Sequence, residues 1–275
     1  MDSWICVTCG TQYPPGQAPL ECPICLDQRQ YVGHEGQKWT TIASMQANGY
    51  HNVIREQEPR LIGIGTEPSF AIGQRALLVQ TGQGNVLWDC ISLLDENTVA
   101  AVQQLGGIKA IAISHPHFYT SMVDWATRFD AQLFLHEADR QWVKRPDKRI
   151  TFWSGETMNL LDDISLARLG GHFSGSSVLH WGSGTDGKGV LLTGDTIQVV
   201  ADRNWVSFMY SYPNLIPLPA SEITRIRDRA AQFRFDRIYG GWFNSIVVGN
   251  AKEAVMRSAD RYIQALQQRL SNSES

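Results

Sequence analysis

Eight side chains in this sequence carry metal-ligating donors at spacings that matter. Cys6-Val-Thr-Cys9 and Cys22-Pro-Ile-Cys25 are two Cys-x-x-Cys pairs a dozen residues apart. A pair on a tight turn can bring both sulfurs to about 2.3 Å from one ion, as a tetrahedral thiolate site requires. The loop between them, Gly-Thr-Gln-Tyr-Pro-Pro-Gly over 10–16, is rich in turn formers and can fold the second pair back onto the first. Two disulfides are the competing reading, but nothing in the composition suggests secretion. The other donors are His115, His117, His172 and Asp195. Neutral imidazoles with a carboxylate suit a borderline cation. A cation held on such donors with one position left open brings the pKa of bound water to about 7. Asp195 could then orient that water or accept its proton, and Tyr119 could donate a hydrogen bond to a developing oxyanion.

Each histidine of this group, and Asp195, follows a run that reads as a buried strand. Ile108 to Ser114 is almost continuously apolar and ends at His115, with Pro116 stiffening the bend before His117. His172 follows Leu169-Gly-Gly, where glycines allow close backbone approach. Asp195 closes Val190-Leu-Leu-Thr-Gly. Further strands are expected at 60–65, 74–80, 85–91, 132–135, 164–169 and 176–181, with a hairpin joining the second and third. Helices are expected over 95–105, 120–129, 137–144, 221–232 and 251–270. Residues 26–38 read as a connector, and 201–220, with three prolines, as a long loop flanking a pocket. Hairpins followed by alternating strands and helices define a mixed sheet system covered by helices.

Composition narrows the classes. The chain of 275 residues is 43% hydrophobic and 19% charged with net charge −3, an ordinary globular balance. No Lys/Arg cluster suggests nucleic acid, and no apolar run approaches the ~18 residues of a membrane span. Four cysteines in one metal site and a fifth, Cys90, packed at a strand end fit a reducing cytoplasm.

The stretch from Trp4 to about Val32 resembles the rubredoxin-like module found at the end of rubrerythrins. It shows Cys-x-x-Cys-Gly, a Pro/Gly loop, Ala-Pro-Leu-Glu and Cys-Pro-x-Cys. Such modules hold iron and near-identical ribbons hold zinc, so the resemblance implies Zn or Fe on Cys6, Cys9, Cys22 and Cys25. The run Ser-His115-Pro-His117-Phe-Tyr119-Thr120, with Gly-Gly-His172-Phe-Ser-Gly-Ser and Leu-Leu-Thr-Gly-Asp195, resembles successive motifs of the metallo-β-lactamase-fold superfamily. That likeness covers about 60–260. It implies an α+β chain: a four-layer αβ/βα sandwich (37–275) preceded by the small cysteine module (1–36). Family members are mostly hydrolases that use one or two zinc or iron ions.

Departures from the family pattern narrow the expectation. The first family motif reads His-x-His-x-Asp-His, but here its last two places hold Tyr119 and Thr120, and the final family histidine falls near Trp242. The second metal position keeps only Asp195, so one Zn (or Fe) on His115, His117 and His172 is expected. Asp124 reads as a helix-surface carboxylate and not as a substitute ligand. His34, His51, His136 and His180 are not expected to bind metal. The functional expectation is a metal-dependent hydrolase of a small ester, lactone or thioester. The alternative is a catalytically degenerate metal-binding or redox protein in which the cysteine module transfers electrons.

Overall fold

The structure, a computed structural model, describes residues 3–161 and 163–267. It divides into two compact units, Met1–Gly155 and Glu156–Ser275. The first opens with β1 (Ser3–Cys6), β2 (Gln12–Pro15) and β3 (Trp39–Thr40), antiparallel in the order β2-β1-β3. The first Cys-x-x-Cys turn joins β1 to β2, and the second lies between β2 and β3. A short helix, α1 (Ile42–Ala47), follows, with the Thr41 hydroxyl accepting from the Ser44 amide as its N-cap.

The main sheet of this unit comprises β4 (His51–Glu58), β5 (Leu61–Glu67), β6 (Arg75–Val79), β7 (Val86–Trp88), β8 (Ala110–Ala112), β9 (Gln132–His136) and β10 (Ile150–Trp153). These pair in sequence order. The first four are antiparallel, and β7 to β10 run parallel. Parallel neighbours need crossovers, and α2 (Glu96–Gln104) and α3 (Met122–Phe129) supply them between β7, β8 and β9. Strands β6, β7 and β8 are buried along their whole length, as their apolar runs predict. Strand β4 was not anticipated. It is a mostly exposed, charged edge strand, and edges are often made polar because that discourages pairing with another chain. The expected helix at 137–144 is a 3-10 segment, Glu137–Trp142.

The second unit carries β11 (Thr157–Leu161), β12 (Ile164–Arg168), β13 (Ser177–Trp181) and β14 (Val190–Gly194), each antiparallel to the next. The expected loop at 201–220 contributes to short strand pairs: β16 (Val206–Ser207) pairs with the preceding β15 (Gln198–Val199), and β17 (Met209–Ser211) with β18 (Ile216–Pro217). The chain then crosses through a helix over Ala220–Ala230 to β19 (Arg237–Gly240), parallel to β14. Strand β20 (Ile246–Val247) closes the sheet, and a helix over Ala251–Leu266 follows. The last three residues expected in that helix lie outside the described residues. Leu191 and Ile238 of the sheet pack on Ile223, Ile226, Ala254 and Val255 of the two helices.

The start of β14 depends on a glycine. Gly189 has φ +88°, and a Cβ there would stand 2.1 Å from the Arg234 carbonyl oxygen. Its own carbonyl accepts from the Asp236 amide. Gly189→Ala is therefore expected to destabilise the chain by about 2–4 kcal/mol, through left-handed strain and a backbone collision that no rotamer relieves. Denaturant unfolding measures this, and a loss below about 0.5 kcal/mol would show that the segment re-forms elsewhere.

Candidate metal centres

The four cysteines converge as their spacing predicts. All five cysteines of the chain are free thiols, so the two-disulfide reading is set aside. Cys6 Sγ lies 3.5 Å from Cys25 Sγ, and Cys9 Sγ lies 3.6 Å from Cys22 Sγ. The edge of a tetrahedron with metal–sulfur bonds of about 2.3 Å is ~3.8 Å, so the sulfurs are nearly where an ion would hold them. Donors surround them. Tyr13 Oη donates to Cys22 Sγ at 3.2 Å, and Gln37 Nε2 donates to Cys6 Sγ at 3.2 Å. Neighbouring sulfurs, Cys22 first, draw Cys6 below the ordinary thiol value, whereas Cys9 is pushed up. Four such sulfurs ionise together only around a cation. Cys90 stands apart, fully buried, and its burial pushes the thiol up, as expected of a packed side chain.

The second set is divided between the units: His115 and His117 in the first, His172 and Asp195 in the second. All four are buried. In the first unit the chain leaves β8, and the Ser114 amide donates to Asp89 Oδ1 at 2.7 Å. A single 3-10 turn, Pro116–Phe118, then carries the histidines, closed by Phe118 N–H donating to the His115 carbonyl. Their rings meet edge to face, 5.2 Å apart. The His115 Nδ1 is paired with Ser114 Oγ at 2.8 Å, an outer contact of the kind that fixes a ring's orientation.

Asp124 is bound elsewhere. Its Oδ2 accepts from Gln12 Nε2 at 2.6 Å and its Oδ1 from Arg145 Nη1 at 2.7 Å. It is a partly buried structural carboxylate. Tyr119 is 3% exposed. Burial first, and then the charge of Asp139, push its hydroxyl well above the ordinary tyrosine value, so it persists as a neutral hydrogen-bond donor. His136 caps the following 3-10 segment through Nδ1, and its Nε2 pairs with the Gly155 carbonyl, as suits a histidine that is no ligand.

In the second unit, Gly170 and Gly171 take φ of +72° and +84° to swing His172 off β12. A Cβ at Gly171 would strike Ile226 and Leu218 at 2.8 and 2.9 Å. His172 Nδ1 pairs with the Met209 carbonyl at 3.2 Å, and its Nε2 lies 4.0 Å from Asp195 Oδ2. Asp195 leaves β14 through Gly194 at φ +51°. Its own carbonyl accepts from Tyr212 Oη at 3.0 Å. Sequence reasoning missed Tyr212 and the Met209 carbonyl, because both lie in the Pro-containing segment that reads only as a loop. Trp205, expected beside a pocket, has Arg257 and Arg261 stacked on its ring at 5.2 and 3.5 Å.

The strand order, the glycine-assisted turns and the motif residues together define a metallo-β-lactamase fold with a cysteine metal module at its N-terminal end. The fold is shared with the DIM-1 metallo-β-lactamase, at 14% identity and TM-score 0.58 over 77% of this chain and 98% of that one. It is also shared with the mono-zinc form of the metallo-β-lactamase FIM-1 from Pseudomonas aeruginosa, at 13% identity and TM-score 0.56 over 76% and 95%. No sequence-family profile matches the chain. The chain belongs to the same family as the uncharacterized protein YmaE of Bacillus subtilis (strain 168), with 52% identity over 272 residues, 98% of this chain and 99% of that protein.

Proposed function

We propose that the chain is a metal-dependent hydrolase of small, partly apolar esters, lactones or thioesters. In this reading His115, His117 and His172 hold one zinc or iron ion, with Asp195 beside it. On that reading these four side chains act as one ion-holding set. The observation that carries the reading is the support behind the rings. His115 and His172 each have Nδ1 engaged, by Ser114 and by the Met209 carbonyl, which fixes ring orientation and directs Nε2 to the ligand role. A solitary ion fits the residues at the departures: Thr120 is buried and Asp124 is held by Gln12 and Arg145.

Such an ion, when bound, polarises a carbonyl and provides a water-derived nucleophile at neutral pH. Asp195 Oδ2 accepts the proton released in the attack and passes it to the leaving group. The Tyr119 hydroxyl donates to the oxygen that gains charge. Free cysteines and the thiolate module suit a reducing cytoplasm. No described helix is long and apolar enough to cross a membrane.

The test is a panel of aryl esters, lactones and thioesters, assayed on chelated protein and after zinc is returned. Zinc-dependent turnover is expected, and an inert panel at full occupancy of the histidines removes the hydrolase reading. Tyr119→Phe is expected to lower kcat about 10²-fold with zinc content unchanged. An unchanged kcat would take Tyr119 out of the reaction.

A further inference from the structure

The cysteine module does not hang free of the first unit, and its attachment point is the histidine turn. Its first turn is closed by Gly10 N–H donating to the Cys6 carbonyl at 2.8 Å. Directly after Cys9 the backbone runs against the segment that follows His117. The Gln12 amide donates to the Thr120 carbonyl at 3.0 Å. Ser92 Oγ donates to the Gly10 carbonyl at 2.9 Å. Gly10 has φ +80°, and a Cβ there would meet Ser92 Oγ at 2.6 Å and the Thr120 methyl at 3.5 Å. The Gln12 side chain reaches past Thr120 to α3. There it donates to Asp124 Oδ2 and accepts from Arg145, which also holds Asp124 Oδ1.

Thr120 itself is strained. Its φ is +38°, a region that β-branched residues avoid because Cβ crowds the backbone. Such a conformation persists only where surrounding contacts over-determine it. Here those contacts include the Gln12 amide on its carbonyl and the Ser121 hydroxyl beside the Ile91 and Ser92 carbonyls. Thr120 stands three residues after His117 and two after the 3-10 turn ends at Phe118, which leaves little slack.

We propose that the cysteine module is the clamp that positions the His115–His117 turn, with Gln12 as its positioning residue. Metal on the four thiolates thereby sets how well the histidines hold their own ion. The inference rests on the reading that the histidines bind metal. An ion on Cys9 fixes the Gly10–Gln12 segment, that segment fixes Thr120, and Thr120 fixes the exit of the turn. Loss of the thiolate metal by chelation releases the turn.

The experiment uses the full chain with zinc on both sets and reads two quantities besides activity. One is backbone hydrogen exchange of 114–124 against 75–88 as an internal control. The other is the zinc dissociation constant of the histidine set, from chelator competition. In the Gln12→Ala/Ser92→Ala double variant, which alters no cysteine, one zinc should remain on the thiolates. Exchange over 114–124 should rise about tenfold, and the histidine-set dissociation constant about tenfold, the scale of lost outer-shell support. Cys22→Ser should produce a larger change in both. If either quantity stays at its wild-type value in the double variant, the clamp is overturned. Zinc affinity and exchange that respond in a chain with no hydrolytic activity would remove the proposed reaction and leave the clamp standing. Wild-type histidines that take up no zinc would remove both.

Discussion

His172→Ala is expected to empty the histidine set of its ion and to lower hydrolysis on the order of 10³-fold or more. The effect is large because one imidazole of three is lost, and with it the activation of water, which carries most of the rate. The substitution also deletes a buried ring anchored on the Met209 carbonyl. A stability loss of about 2–3 kcal/mol therefore accompanies the functional one. The two are separable. Elemental analysis should show the thiolate ion retained and the histidine-held ion gone, in protein that still unfolds cooperatively. Full turnover in this variant would remove the histidine set from the chemistry. His115→Ala should behave alike, since His115 is fully buried and backed by Ser114.

The second large effect is structural. Cys22→Ser should release the thiolate-bound ion and unfold the module. The buried cluster of the module is Cys6, Cys9, Tyr13, Cys22, Ile24 and Cys25, so four of its six members are the ligands themselves. Ile24 and Tyr13 supply only about 2 kcal/mol each of apolar burial. A structural zinc contributes on the order of 10–16 kcal/mol of apparent binding free energy at pH 7. Without it, ordering some three dozen residues is not offset. Limited proteolysis should cut the variant within 3–36 while the second unit stays protected. Protease resistance throughout the module would show that its fold does not depend on the ion.

How far these features could be read from the chain depends on the physics behind each. The Cys-x-x-Cys pairs were legible because a thiolate site needs its ligands on tight turns, and tight turns are local. The turns at His115 and His172 were legible for a related reason: a buried strand is a continuous apolar run, and its end is marked by Pro116 or by Gly170 and Gly171. Strand β4 escaped because an edge strand with exposed Arg55 and Glu56 lacks the apolar signal by which strands are found. The pairs β15–β16 and β17–β18 escaped because two or three residues are too few to show a period. Asp124 was read as a helix-surface carboxylate, and it is partly buried with both oxygens engaged. Arg145 and Gln12, the latter more than a hundred residues away, are what engage it.

The sequence alone determined which atoms can bind metal, and that the histidines and Asp195 sit where strands give way to turns. These follow from residue type and from periodicity, which act over a few neighbours. Only the tertiary structure decided which nitrogen of His172 faces a ligand and that the cysteine module grips Thr120. Those contacts join residues 37 or more apart. A hydrogen bond at that separation leaves no repeat in the chain, because it exists only once the sheets have set the distance between its partners.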